Sequence, residues 1–265
     1  MQALASIRTP LQAAAFLSAT RRLARLGLMV GMAAALAAAA AQNVEGDPNA
    51  PLAGRVYGTA IRTADAEMLR DEVLRRLTER YAAEKGLSVT AAEQRAHVDR
   101  MQAALRQDRE QRIARRDALN RRLAAGGLSE AERRKLAAEV EALNQAIAAL
   151  GDGAGGVASA EDRKARQQIA AAFILQWKIN RALYRQYGGR IAYQQGGPEP
   201  VDAYRLFLEE RQARGDFAIY DPKLEAPFWS YYRDDSKHSF YPRGSRQEAE
   251  AFKTPWGSTK QPSWT

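Results

Sequence analysis

Apolar residues recur at three- and four-residue steps along much of this chain, and that period commits it to helices. Met68, Leu69, Val73, Leu74, Leu77 and Tyr81 share one face of a helix that Thr63 is placed to cap and Gly86 to end. Thr90-Ala91-Ala92-Glu93 is a capping box that opens the next helix. Between residues 106 and 150 the alphabet narrows almost wholly to Ala, Leu, Arg, Glu and Gln. Gly126-Gly127 interrupts this stretch, and Ser129 with Glu132 restarts it with a second capping box. Beyond the break, Leu136, Val140, Leu143, Ile147 and Leu150 alternate steps of four and three, which is the seam of a coiled coil. The arm before it carries a sparser stripe of Leu105, Ile113, Leu119 and Leu123. Two antiparallel helices paired through these stripes form a hairpin, and Gly151 to Gly156 supply a flexible return.

Ser159 and Asp162 cap a further helix that runs to Tyr187 and carries Ile169, Phe173, Ile174, Trp177, Leu183, Tyr184 and Tyr187. No other helix of the chain is as aromatic, and Gly188-Gly189 stops it. A proline-containing loop, Gly196-Gly197-Pro198-Glu199-Pro200, leads to a helix with Tyr204, Phe207 and Leu208 that Gly215 closes. A last ordered piece follows near Phe228, Trp229, Tyr231 and Tyr232. The fold class is therefore mainly α. One irregular helical domain, residues 56–232, is interrupted at 106–150 by an antiparallel coiled-coil hairpin. A flexible segment at 42–55, where few residues can be buried, precedes it. A tail at 233–265, rich in Pro, Ser, Gly, Lys and Arg, is expected to be disordered.

The N-terminus bears on location. Arg21, Arg22 and Arg25 precede an uncharged, Ala-rich run from Leu26 that ends in Ala39-Ala40-Ala41, and no acid occurs before it. A basic start, a short apolar run and small residues at its end make the pattern of a secretory signal peptide over 1–41. A span needs about 20 apolar residues, more than this run offers; an uncleaved inner-membrane anchor is the alternative. Export points to the periplasm, with proximity to the membrane surface left open. The chain has no cysteine, so it does not rely on disulfides in that oxidising compartment. The leader holds Arg8, Arg21, Arg22 and Arg25, four of the nine excess positive charges, and leaves about +5 on the remaining 224 residues (265 − 41).

Groups fit for catalysis are missing. There is no Cys and no Gly-x-Ser-x-Gly elbow, and the two histidines, His97 and His238, read as solvated. No His or Cys pair stands at metal-ligand spacing, and the acids alternate with Arg as on a wet helix face. Asp234-Asp235 reads as a surface pair. The glycine group at 151–156 lacks the Lys-Ser/Thr ending of a phosphate loop. No catalytic residue, metal or cofactor is assigned. The arginines at 106, 109, 112, 115, 116, 121 and 122 have acids among them and no aromatic for base stacking, which with export excludes nucleic acid. What is left is aromatic surface. Phe173, Trp177, Tyr184, Tyr204, Phe207 and Trp229 are the candidates to line a groove for apolar or aromatic peptide segments.

Val56-Tyr57-Gly58 with Ile61, an amphipathic helix, and then Gly86-Leu87-Ser88-Val89-Thr90 with Glu93 resemble the opening of the N-terminal domain of SurA-like periplasmic chaperones. The resemblance covers residues 56–101 and resumes at 169–187. It implies a chaperone or assembly factor that holds unfolded or exported polypeptides. Many members of that family carry a parvulin prolyl-isomerase domain. No such segment occurs here, so isomerase activity is not expected, and the hairpin at 106–150 departs from the family and suggests one dedicated partner. A structural or adaptor subunit of an envelope complex, working through its hairpin and its C-terminal tail, is the second reading.

Overall fold

The computed structural model describes residues 49–150, 159–194 and 196–255. The export pattern at 1–41, the glycine return after Leu150, and Trp256 and Trp264 lie outside them. The protein is mainly helical, and its described residues form two small antiparallel sheets. Among the described residues no helix is long and apolar enough to cross a membrane.

Strand β1 (Leu52–Val56) turns back into β2 (Thr59–Arg62) through Tyr57 and Gly58, at φ 47° and 82°. Two successive positive φ angles give the turn whose twist suits a two-residue hairpin. Strand β5 (Phe217–Ile219) pairs antiparallel with the other edge of β1, so the order is β2-β1-β5. A Cβ on Gly54 would lie 2.4 Å from the Ala218 carbonyl oxygen, which is why glycine stands where the strands meet. Ala53 and Val56 are fully buried, so the segment expected to be a flexible leader up to residue 55 contributes its last residues to the core. That pairing partner lies about 160 residues away in sequence, beyond the reach of local pattern.

Helix α1 spans Ala66–Glu84. Its N-cap is Asp65, whose Oδ1 accepts from the Glu67 and Met68 amides at 2.8 and 2.9 Å. Thr63, expected to be the cap, instead accepts from the Asp65 amide at 3.0 Å and so positions the cap. At the far end the Leu87 amide reaches Ala82 O and the Gly86 amide reaches Ala83 O, the paired bonds of a Schellman stop. Helix α2 (Ala91–Ala124) starts at the Thr90–Glu93 box, where each residue's side chain accepts from the other's amide, at 2.8 and 3.2 Å. Helices α3 (Glu130–Ala149) and α4 (Ala160–Tyr187) begin with equivalent pairs, Ser129–Glu132 and Ser159–Asp162. Strands β3 (Ala192–Gln194) and β4 (Gly197–Glu199) form a hairpin before α5 (Val201–Ala213). After β5 come α6 (Pro222–Arg233), a single 3-10 turn at Asp235–Lys237, and α7 (Arg246–Glu250).

The chain divides into two compact units. One comprises Val98–Ala165, wider at both ends than the insertion expected at 106–150, because the division falls inside α2 and α4. In this unit Arg115 Nη2 meets Glu139 Oε1 at 3.0 Å. Arg115 stands nine residues before the end of α2 (124 − 115) and Glu139 nine after the start of α3 (139 − 130), as an antiparallel hairpin requires. Its buried apolar side chains among the described residues are Leu119, Leu143 and Ile147. Ile113, Leu123, Leu136, Val140 and Leu150 are half-buried, and Leu105 is 41% exposed.

The other unit holds the main core. Leu69, Val73, Leu77 and Tyr81 of α1 pack with Ile179 and Leu183 of α4, Val201, Tyr204, Phe207 and Leu208 of α5, and Phe228, Trp229 and Tyr232 of α6, beneath the three-stranded sheet. Part of the segment expected to be a disordered tail belongs to this unit. The Tyr193 amide donates to Ser239 O at 2.8 Å and the Tyr241 amide to Ile191 O at 2.9 Å, so residues 239–241 extend the β3–β4 hairpin. Arg190 ties this segment down by gripping Asp202 (2.9 Å) and Asp235 (2.7 Å) while lying 4.2 Å above the Phe240 ring. Polar composition misleads here because Phe240, Tyr241 and Phe252 each pack against a ring or a guanidinium.

Candidate functional site

Four of the six side chains expected to line a peptide groove are buried in the described structure: Tyr204, Phe207, Trp229 and Trp177, at 4, 0, 4 and 7% exposure. Phe207 lies edge-on to Tyr81 with centroids 5.3 Å apart, and Trp229 packs on Phe228 at the same separation. The expectation of an open aromatic face fails at Tyr204, Phe207 and Trp229 because the short strands and α6 supply Phe217, Leu224, Phe228 and Tyr232 as cover. Burial of such rings is their commonest fate, since each removes a large apolar area from water. The remaining two are half-buried. Phe173 meets the His97 ring at 4.9 Å, and Tyr184 meets Phe252 at 5.2 Å.

The histidines also depart from expectation. His97 is only 8% exposed, and burial pushes its pKa below the ordinary imidazole value. His238 is part-buried, and its Nε2 donates to the Tyr231 carbonyl at 2.5 Å. It belongs to a polar network that sequence reading misses. The Tyr231 hydroxyl donates to Glu199 Oε2 at 2.7 Å. Asn180 Nδ2 donates to Pro198 O, and Asn180 Oδ1 accepts from the Tyr204 hydroxyl at 2.6 Å. Burial is the main cause that raises the Glu199 carboxyl above its usual range, partly opposed by the Tyr231 hydroxyl and the His238 charge. A raised carboxyl near an imidazole is what acid–base chemistry uses. The network joins β4 to α4, α5, α6 and the segment after α6, and its Tyr204 is sealed at 4% exposure. No local sequence signal marks it, since its members lie far apart in the chain.

Tyr184 leads to an open feature. An open cleft of about 520 Å³ is lined by Arg181, Tyr184 and Arg185 of α4, and by Gly244, Ser245, Glu248, Phe252 and Lys253 at the C-terminal end of the described residues. Ser245 caps α7 by accepting from the Glu248 amide at 3.1 Å, and Glu248 Oε2 accepts from the Gly244 amide at 2.6 Å. These bonds fix the wall opposite α4. Tyr184 and Phe252 stack to form an aromatic shelf, and the Arg181 guanidinium sits 5.1 Å above Trp177. Burial, then the neighbouring charge of Arg185, moves the Arg181 pKa below the ordinary guanidinium value. Among the described residues no group of His, Cys, Asp and Glu could hold a metal ion. The cleft offers positive charge and a ring surface, which suit binding.

Comparison with protein-family models, with characterised proteins and with solved structures gives no match, and the functional reading rests on the geometry described above.

Proposed function

We propose that this protein is a non-catalytic adaptor of the cell envelope that grips a partner protein through the α2–α3 hairpin. The occupant is an amphipathic helix with acidic flanks that lies along the half-open apolar seam. One observation carries this reading. The hairpin buries Leu119, Leu143 and Ile147 while Met101 and Leu105 stay 40 and 41% exposed, and the rest of its apolar stripe is only half-covered. A third helix would complete such a seam by knobs-into-holes packing. Its charge supports an acidic partner: from Val98 to the end of α2 there are eight arginines (100, 106, 109, 112, 115, 116, 121, 122) against four acids (99, 108, 110, 117). The basic-then-apolar pattern at 1–41 supports placing the protein outside the cytoplasm.

Removal of residues 106–150, closed by a short Gly-Ser linker, is the test. An adaptor loses its stoichiometric partner in affinity purification while the core unit keeps its near-ultraviolet circular dichroism. Retention of the same partner by the shortened protein overturns the proposal. The SurA-like reading, in which the protein holds many clients on aromatic surface, is the rival. It predicts that the shortened protein still suppresses aggregation of unfolded outer-membrane precursors. Burial of Tyr204, Phe207 and Trp229 is what ranks it second.

A further inference from the structure

The cleft beside Tyr184 lies in the core unit, and its chemistry is independent of the hairpin. Arginine is abundant in this protein, and most arginines of the core unit have carboxylates against them: Arg70, Arg75, Arg76, Arg80, Arg190, Arg205, Arg211, Arg214, Arg233 and Arg246 all form ion pairs. Arg181 and Arg185 are exceptions. They are four residues apart on α4, so they neighbour each other on one helix face, where like charges repel. Neither has a carboxylate partner among the described residues. Lys253, on the opposite wall, forms no ion pair among them either. The one acid of the lining, Glu248, is engaged by the Gly244 amide. Three cations against one acid leave the cleft two charges positive, over an aromatic shelf.

We propose that this cleft binds an extended acidic peptide segment of a partner protein, with carboxylates at alternate positions paired to Arg181 and Arg185. Spacing favours a peptide. Four helical residues rise about 6 Å, and same-face side chains of an extended strand repeat every ~6.6 Å, so two acids at alternate positions match two guanidiniums one helical turn apart. Arginine suits carboxylate because its planar fork can donate two parallel hydrogen bonds. A ring or aliphatic side chain two positions further along the same peptide face settles on Tyr184 and Phe252, and Lys253 closes over the backbone from the far wall. Glu248 disfavours a continuous run of phosphates, which would press charge against it.

The test is fluorescence anisotropy with the full chain and a labelled heptapeptide that carries glutamates at two alternate positions followed by a phenylalanine. Saturable binding is expected, weakened about tenfold or more when both glutamates become glutamine. The Arg181→Gln/Arg185→Gln protein is expected to lose affinity by a similar factor, and Arg55→Gln, on β1 and outside the lining, to bind like the parent. Arg185→Gln alone leaves the Arg181–Trp177 contact in place and serves as the second variant, with a thermal melt to confirm its fold. Equal affinity for the glutamate and glutamine peptides overturns the proposal. So does a double variant that binds like the parent. Displacement of the peptide by inorganic phosphate, or stronger binding to phosphatidylglycerol vesicles, overturns it in favour of a phosphate or lipid ligand.

Discussion

Replacing Phe207 by alanine separates a structural ring from a ligand-binding one. The side chain is fully buried, edge-on to Tyr81 at 5.3 Å and to Tyr187 at 6.3 Å, and the Arg211 guanidinium lies 5.1 Å over its face. A buried Phe→Ala change costs about 3–5 kcal/mol, from lost transfer energy and the cavity left behind. Collapse of neighbours is restricted here. Tyr187 is tied to Glu210 at 2.6 Å, and Arg211 to Glu84 at 2.8 Å, so the upper part of that range applies. Against a total stability of about 5–15 kcal/mol, a loss near 4 kcal/mol is large. With a urea slope of about 2 kcal/mol per molar, the midpoint moves down by about 2 M. Near-ultraviolet circular dichroism reports the packed aromatics and should show the shift, while partner binding at low denaturant is retained by the folded fraction. A midpoint change below about 0.5 M, equivalent to ~1 kcal/mol at that slope, would refute the reasoning, above all if partner binding fell at the same time.

The same packing sets other outcomes. Gly54→Ala drives a Cβ to 2.4 Å from the Ala218 carbonyl and should cost about 1–3 kcal/mol; hydrogen exchange at β5 should accelerate, and unchanged exchange there would contradict the pairing. Leu143→Ala should cost about 2–3 kcal/mol, read as faster exchange in α3 with the protection of α1 and α5 unaltered. Glu199 has a raised folded pKa, so its contribution is present at low pH and lost as pH rises from about 4.5 through the folded value. Glu199→Gln should flatten that part of the pH–stability curve, and an unchanged curve would refute the assignment. His97 acts oppositely: its depressed pKa means stability falls as pH drops below about 6.5, and His97→Gln should remove that acid-side loss in a urea midpoint series.

Helix ends are readable in the sequence because their signals are local. The boxes at Thr90–Glu93, Ser129–Glu132 and Ser159–Asp162 and the glycine stop at Gly86 each involve atoms within five residues of one another. The hairpin is equally readable, because its seam repeats in sequence before it repeats in space. The sheets are not. Strands of three to five residues carry almost no period, and β1 meets β5 only after the helices between them have packed. Exposure of the aromatics is misjudged from sequence for a related reason. Helical spacing places Tyr204, Phe207 and Trp229 on faces, but burial depends on Phe217 and Phe228, which arrive from distant segments. Of the cleft, sequence reading singles out Tyr184 alone. Arg181 and Arg185 are two charges among many on a helix, and nothing local reveals that Phe252 and Lys253 come to face them.

Site-specific photo-crosslinking in cells tests the central claim most directly. A crosslinking amino acid replaces Leu105 on the hairpin in one strain and Trp229 in the core in another. The adaptor account predicts one dominant crosslinked product from position 105, stoichiometric and of a single mass, and no partner adduct from position 229. Many products from position 229 with none from 105 would contradict it and return the work of the molecule to its aromatic core.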